Sequence, residues 1–323
     1  MWRKISTILV STLIAAGIIL YMLYRVWDDL LVALEHAIWY YLLFASLVCL
    51  AAWWLRGSRY RSILSSLKIR VGLNFSTACI FVSQTANLIV PARLGDLVRI
   101  FILRHEQDSP VSKGISSLVV ERVFDIFTVA LLGAVALLFV LNVPEWFYTL
   151  IIIPLAAGAV FFVILFFAGK FSSENRIVQI LLTLLEQIKE ASLSVRAVVF
   201  LSASSVIIWL MDVMVCVFVV MMFQDQIPFA VVVLAIVIGN LVKAVPLTPG
   251  GVGTYELAMA LTFTLAGVPV AEATMIAVID HLVKNLITLG GGIVSIYYFG
   301  GWVLDSIKSA FQKRFGGIKS GGI

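Results

Sequence analysis

Charge is scarce in this sequence. Acidic and basic residues make up 13% of its 323 positions, about half the ~25% of a soluble domain, while apolar residues reach 62%. A water-soluble globule of that composition could not cover its own surface, which excludes soluble enzymes, nucleic-acid-binding modules and disordered chains. The expectation is an all-α polytopic membrane protein. Cysteine is scarcer still: Cys49, Cys79 and Cys216 lie inside apolar runs without C-x-x-C spacing, so neither a disulfide framework nor a zinc site is indicated. The three histidines, His36, His105 and His281, are scattered, and H-E-x-x-H, G-x-S-x-G and D-x-D patterns are all missing. No catalytic nucleophile, metal or cofactor is expected.

What the sequence has in abundance is long apolar runs. Stretches long enough to cross ~30 Å of hydrocarbon cover 5–24, 37–55, 123–141, 147–167, 197–223 and 273–299. The first follows Trp2-Arg3-Lys4 and exceeds a signal-peptide core, so it reads as a retained helix. Two further apolar regions, 75–104 and 229–266, are interrupted by Pro91-Ala92-Arg93-Leu94-Gly95 and by Pro246-Leu247-Thr248-Pro249-Gly250-Gly251-Val252-Gly253. Each half is too short to span comfortably. Six spanning helices plus two broken re-entrant helical hairpins follow, or eight spans if both regions cross fully.

Positive residues should gather on the cytoplasmic side. Under the six-span arrangement Arg56, Arg59, Arg61, Lys68 and Arg70 share a side with Lys170, Arg176, Lys189 and Arg196, with Lys308, Lys313, Arg314 and Lys319, and with Arg3 and Lys4. The opposite loops hold Asp28, Asp29, Glu35, Glu145, Asp225 and Glu272 with Arg25. Both termini are therefore expected in the cytoplasm of a cell bounded by a plasma or inner membrane. Residues 1–301 read as a single transmembrane domain, 170–196 as an amphipathic surface helix, and 302–323 as a basic amphipathic tail on the anionic inner leaflet. An echo between Ala86-Asn87-Leu88-Ile89-Val90-Pro91 and Gly239-Asn240-Leu241-Val242, each ahead of a break, suggests an inverted repeat with its site near the midplane.

Charges inside apolar segments cost at least ~2.5 kcal/mol each at a helix centre, so each needs a partner or a function. They fall in groups: Arg93, Asp96 and Arg99; Glu121, Arg122 and Asp125; Asp212, Lys243 and Glu256; Asp280, His281 and Lys284. Internal ion pairs account for some of them, yet a bundle of this size needs few such pairs, and interhelical polar contacts add little stability. The glycine-rich loop feeding a half-helix at Thr254 would leave backbone N–H groups at the positive end of a helix dipole, which favours an anion. It lacks the Gly-Lys-Ser/Thr of a nucleotide loop. Glycines lining a break solely for close packing are the competing explanation. Asp280 and His281 are a candidate proton relay.

Three stretches, Val90-Pro91-Ala92-Arg93-Leu94-Gly95-Asp96-Leu97-Val98-Arg99, Val120-Glu121-Arg122-Val123-Phe124-Asp125 and Pro246 through Glu256, resemble in order the membrane region of lysylphosphatidylglycerol synthases and their stand-alone flippase-like relatives. The resemblance implies movement of a modified anionic phospholipid between leaflets. The soluble aminoacyl-transfer domain of the synthases has no counterpart in this sequence, and Asp280-His281 stands where the resemblance implies an arginine. The reading is translocation, by flipping or scrambling, of a lipid with an anionic head group. Arg93, Asp96, Arg99, Glu121, Arg122, Asp125, Lys243, Gly250, Gly251, Gly253 and Glu256 are the expected contacts. Its rivals are an intramembrane lipid-modifying enzyme and an accessory subunit of a lipid-pathway enzyme. Expected partners are the lipid and the membrane, with a second copy or a lipid-pathway enzyme left open, and no nucleic acid.

Overall fold

A computed structural model of the chain describes residues 2–27, 32, 34–90, 93–140, 143–167, 175–224, 226–245 and 248–302, apart from the side chains of 2–12, 14, 176 and 177. The expected tail helix, the prolines at 91 and 246 and the acidic residues at 28, 29 and 225 lie outside the described residues. The described residues form α-helices: α1 (Trp2–Arg25), α2 (Tyr40–Ser66), α3 (Leu73–Ile89), α4 (Asp96–Gln107), α5 (Val111–Ala136), α6 (Glu145–Phe167), α7 (Arg176–Ser192), α8 (Val195–Met222), α9 (Phe229–Ala244), a 3₁₀ turn (Pro249–Gly251), α10 (Thr254–Leu265) and α11 (Val270–Phe299). Prolines punctuate this order. Pro110, Pro228 and Pro269 each stand immediately before a helix in extended conformation, where the missing N–H costs nothing and the fixed φ breaks the preceding segment. Four helices, α2, α6, α8 and α11, are by themselves long and apolar enough to cross a bilayer. The chain is an all-α, multi-pass membrane protein.

Both broken regions fold back on themselves. In the first, Asp96 at the start of α4 accepts hydrogen bonds from Ser83, Gln84 and Asn87 on α3 at 3.1, 3.2 and 3.0 Å. In the second, Gly239 of α9 lies against Tyr255 and Met259 of α10, so close that a methyl group there would sit 3.0 Å from each side chain. A helix merely kinked at residues 245–253 would separate positions 239 and 259 by tens of ångströms at 1.5 Å per residue. These are helical hairpins.

The element order then repeats. A long helix, a two-part hairpin and a second long helix start at residues 40, 73, 96 and 111, and again at 195, 229, 254 and 270, a nearly constant offset. Matched members have 27 and 28, 17 and 16, 12 and 12, and 26 and 30 residues. The two first members, α2 and α8, pack together and run antiparallel: Phe44 stacks on Phe218, Arg56 meets Asp212, and Arg59 reaches Ser205. The numbers rise along one helix as they fall along the other. Equivalent helices of the two units therefore point in opposite directions, the geometry of an inverted repeat, with α6 and α7 as the connection. The hairpin of the first unit packs on α11, through Phe75 with Phe299 and Thr85 with Thr288. That of the second packs on α5, where Gly133 lies against Val237.

Two boundaries differ from the sequence reading, both for one reason. Helix α2 continues through Arg56 and Arg59 to Ser66, so these two arginines are not loop residues that orient the chain; they face the bundle interior. Arg61, Lys68 and Arg70 remain exposed at that end. Helix α5 begins at Val111, well before the apolar run, and buries Ser116, Ser117 and Glu121 in its polar first half. In each case buried polar partners carry a helix beyond its apolar run, in α2 alongside the buried Tyr60, Ile63 and Leu64.

A charged cavity where the two hairpins meet

The hairpin tips touch: a methyl group on Gly250 would lie 2.9 Å from Leu88 Cδ2, near the end of α3. Beside this junction an open-mouthed cavity of about 170 Å³, counted as space open to the centre of a water molecule, takes in both tips and the long helices. Its wall contains Arg56, Arg93, Arg122, Lys243 and Lys284 together with Glu121, Asp125 and Asp212, all from apolar surroundings. Gln84, Asn87, Asn240 and Asn285 supply neutral polar groups.

The first unit builds its share from interlocked arginines and carboxylates. Arg59, with 1% of its surface exposed, holds Asp125 through two N–H groups at 2.6 and 3.1 Å and donates to Ser205 at 2.7 Å. The planar guanidinium fits a carboxylate in this bidentate way. Arg99 is wholly buried, donates to Glu121 at 2.5 Å, reaches Asp96 at 3.5 Å and lies over the Tyr60 ring. Arg122 is more open and touches three carboxylates only loosely: Asp96 at 3.5, Glu121 at 3.7 and Asp125 at 3.9 Å. Arg56 pairs with Asp212 across α2 and α8 at 2.6 Å.

The second unit uses softer groups. Lys284 pairs with Asp280 at 2.8 Å, and the Tyr255 hydroxyl also donates to Asp280 at 2.8 Å. The Glu256 carboxylate accepts the Gly253 N–H at 2.7 Å, which fills part of the half-helix N-terminus from within. Its other oxygen contacts His281 Nδ1 at 2.7 Å, and His281 Nε2 lies 2.9 Å from Lys243 Nζ. Asp280 and His281, neighbours in sequence, thus belong to two separate networks instead of one relay.

Of the expected contacts, Arg93, Glu121, Arg122, Asp125, Lys243, Gly250 and Gly251 line the cavity. Asp96, Arg99 and Glu256 stand behind it, each gripping a lining residue or loop. Gly253, at φ 85°, packs against Ala15 and Ile18 of α1. The glycines do adopt the left-handed conformation that favours glycine: Gly250 and Gly251 have φ of 63° and 77°. Arg93 sits at φ 51° in the first tip and, among the described residues, makes no ion pair. Sequence reading missed Arg56, Arg59, Tyr255, Lys284 and the four amides as parts of this site. Arg56 and Arg59 carried a signal, three residues apart and continuing an apolar helix, and Asn87 and Asn240 one in the echo ahead of the two breaks, whereas Gln84 and Asn285 carried none.

Comparison with known proteins places the chain among membrane proteins. The chain is 32% identical to "Glycosyltransferase AglD" of Haloferax volcanii, over 84% of this chain and 50% of that protein, and so spans about half the relative's length. It is 25% identical to the UPF0104 membrane protein MJ1078 of Methanocaldococcus jannaschii, over 65% of this chain and 92% of the relative. It is also 25% identical to the UPF0104 membrane protein PH1989 of Pyrococcus horikoshii, over 73% and 80%. No solved structure matches. Residues 8–292 match the family described as the lysylphosphatidylglycerol synthase TM region, and the chain belongs to that family.

Proposed function

We propose that this protein moves a lipid with an anionic head group between the two leaflets of its membrane. The observation that carries this reading is the cation excess at the hairpin junction, where Arg93 makes no ion pair among the described residues and Lys243 meets an imidazole and the Tyr255 ring but no carboxylate directly. In a low-dielectric interior an uncompensated cation is costly, and a phosphate entering the cavity would compensate it. The lipid context of the family and the paired broken helices of opposite direction support the same reading, because such repeats hold substrates near the midplane and expose them alternately to each side. The two hairpins are then re-entrant, each returning to the face it left, and both termini are cytoplasmic. The head group crosses the polar junction while the acyl chains stay in lipid. Arg122, held at 3.5 Å or more by each of its partners, is free to turn toward the phosphate, while Arg59 and Arg99 hold the wall.

The test is reconstitution of the full chain into phosphatidylcholine vesicles carrying labelled phosphatidylglycerol, with the label chemically quenched from outside. Movement of the label above that of empty vesicles is expected. Unfolding temperature in detergent is the second readout, and phosphatidylglycerol should raise it where phosphatidylcholine does not. Absence of both effects overturns the reading.

A further inference from the structure

Helix α1 stands outside the repeat. It precedes the first unit and crosses to the second hairpin, where it packs on the 3₁₀ turn and on α10. The helix that precedes the second unit, α7, is fixed differently: Gln187 bonds Ser112 and Ser116 of α5 at 3.3 and 3.0 Å. Among the described residues, no hydrogen bond or ion pair joins α1 to another helix, and Arg25 bonds only Tyr21 of α1 itself, at 3.3 Å. The inward stripe of α1 is apolar, with Ala15, Met22 and Val26 buried, while Leu13, Leu20, Tyr21 and Tyr24 are exposed on its other side. At the seam the backbones come close. A methyl group on Gly253 would lie 3.1 Å from the Ala15 carbonyl oxygen and from Ile18 Cβ.

The second tip is thus held between two neighbours. Gly250 meets Leu88 of the first hairpin, and Gly253 meets α1. The boundaries between the long helices around the cavity are crossed by polar bonds: Arg56 to Asp212 joins α2 to α8, Arg59 to Asp125 joins α2 to α5, and the Thr85 hydroxyl to the Thr288 carbonyl joins α3 to α11. Parting any of these strands a polar group in an apolar interior. Parting α1 from the tip strands none. Lipid tails are as apolar as the side chains they would replace there, so the loss is limited to close van der Waals packing. A head group held at the junction with its acyl chains still in lipid needs one boundary that opens, and this seam is the one that opens at least cost.

From the missing polar ties and the position of Gly253 we infer that α1 is a movable gate: its seam with the second tip opens to the bilayer, and the tip parts from the first hairpin only once α1 has moved off Gly253. With the gate closed, α1 backs the tip and presses it toward Leu88. With the gate open, the tip is released and acyl chains fill the place of α1. This inference rests on the proposed lipid movement, and its experiment separates the two.

In the full chain, Ile18 and Thr254, the neighbour of Gly253, are replaced by cysteine and joined with a short, cleavable thiol cross-linker after reconstitution in phosphatidylcholine vesicles carrying labelled phosphatidylglycerol. The single variants Ile18→Cys and Thr254→Cys, treated alike, are the controls. Lipid movement is expected to fall to the fraction of protein left uncross-linked and to return when the linker is cleaved. Full-rate movement by the cross-linked chain overturns the gate and leaves lipid movement intact. The second readout needs no transport: spin labels in Tyr21→Cys on α1 and Leu47→Cys on α2, two exposed positions, report the distance between the helices in vesicles. The native cysteines are buried. Two separate distances are expected, in proportions that change with added phosphatidylglycerol. A single narrow distance with and without that lipid overturns the gate, whether or not lipid moves. If the unmodified chain moves no lipid, or the cysteine pair does not cross-link, the spin labels decide alone.

Discussion

The two repeat units share a backbone plan and differ in chemistry. The first meets the cavity with guanidinium groups locked to carboxylates by several bonds at once, as Arg59 is to Asp125 and Ser205. The second meets it with two lysines, a histidine and a tyrosine: Lys284 is paired with Asp280, while Lys243 has a single hydrogen bond, to His281. Their tips differ in the same sense: the first turns on Arg93 and Gly95, the second on three glycines with positive φ. Similar architecture with unequal bonding implies a division of labour, in which Arg59 and Arg99 of the first unit are a fixed wall, Arg122 is free to turn, and the second unit is the part that rearranges. A buried guanidinium with several acceptors cannot leave without stranding them all, whereas a singly bonded ammonium can exchange a histidine for a phosphate.

The largest effect that would break this comparison is predicted at Arg99. Removing its side chain leaves the buried Glu121 carboxylate with only the looser contacts of Arg59 at 3.6 Å and Arg122 at 3.7 Å, so Arg99→Ala should cost about 3 kcal/mol of stability and reduce folded yield in detergent, instead of selectively slowing lipid movement. A variant as stable as the parent, measured by thermal unfolding, would mean that the first unit is not a fixed wall.

Next comes Gly95. Its φ of −57° is ordinary, so the constraint is space: an added methyl would lie 2.5 Å from the Asn87 nitrogen and the Ser83 oxygen, backbone atoms that cannot turn aside. Gly95→Ala should cost about 3 kcal/mol, the upper end for overpacking, by prising α4 from α3. Gly251→Ala in the other tip should cost less, about 1–2 kcal/mol for the left-handed conformation, because the atom in its way is Cγ of the flexible Lys243 stem at 2.5 Å. Moving that stem displaces the ammonium, so this variant should lose lipid response more than stability. Equal costs at the two glycines in paired unfolding measurements would erase the contrast between the tips.

How much of this was legible beforehand depended on the range of the interaction. Breaks at residues 91–95 and 246–253 are local signals, and the hairpins follow from the shortness of the halves on either side. The charges from Arg93 to Asp125 stood out against apolar neighbours. Their partners did not, because Arg56 finds Asp212 across 156 positions and Arg59 finds Asp125 across 66, distances at which spacing carries no information. The positive-inside rule counted Arg56 and Arg59 as loop bases for the same reason: a paired arginine in a continuing helix looks, without its partner, like an exposed one. The half-helix N-terminus at Thr254 promised an open anion site, but Glu256, three residues along, turns back to accept the Gly253 N–H. That carboxylate was visible in the sequence, and its own helix supplies the partner.

The smallest predicted effect sharpens the comparison most. His281 bridges Glu256 and Lys243, and glutamine can make the same bridge, with its NH₂ donating to the carboxylate and its oxygen accepting from the ammonium. His281→Gln leaves the net charge of the three groups at zero but fixes the proton on Lys243. Its cost in thermal stability should stay under about 1 kcal/mol, since no buried donor or acceptor loses its partner. The order of preference among lipid head groups should also be unchanged, because Arg93 remains the excess cation. The rate of lipid movement as a function of pH then reads the role of the second unit. If Lys243 meets the lipid simply as a permanent ammonium, rate and pH profile should match those of the parent, and that is the expected result. A variant that folds and selects lipids normally but moves them slowly at every pH would instead show that the proton must pass to the imidazole during the cycle, making the softer unit a proton carrier as well as the moving part.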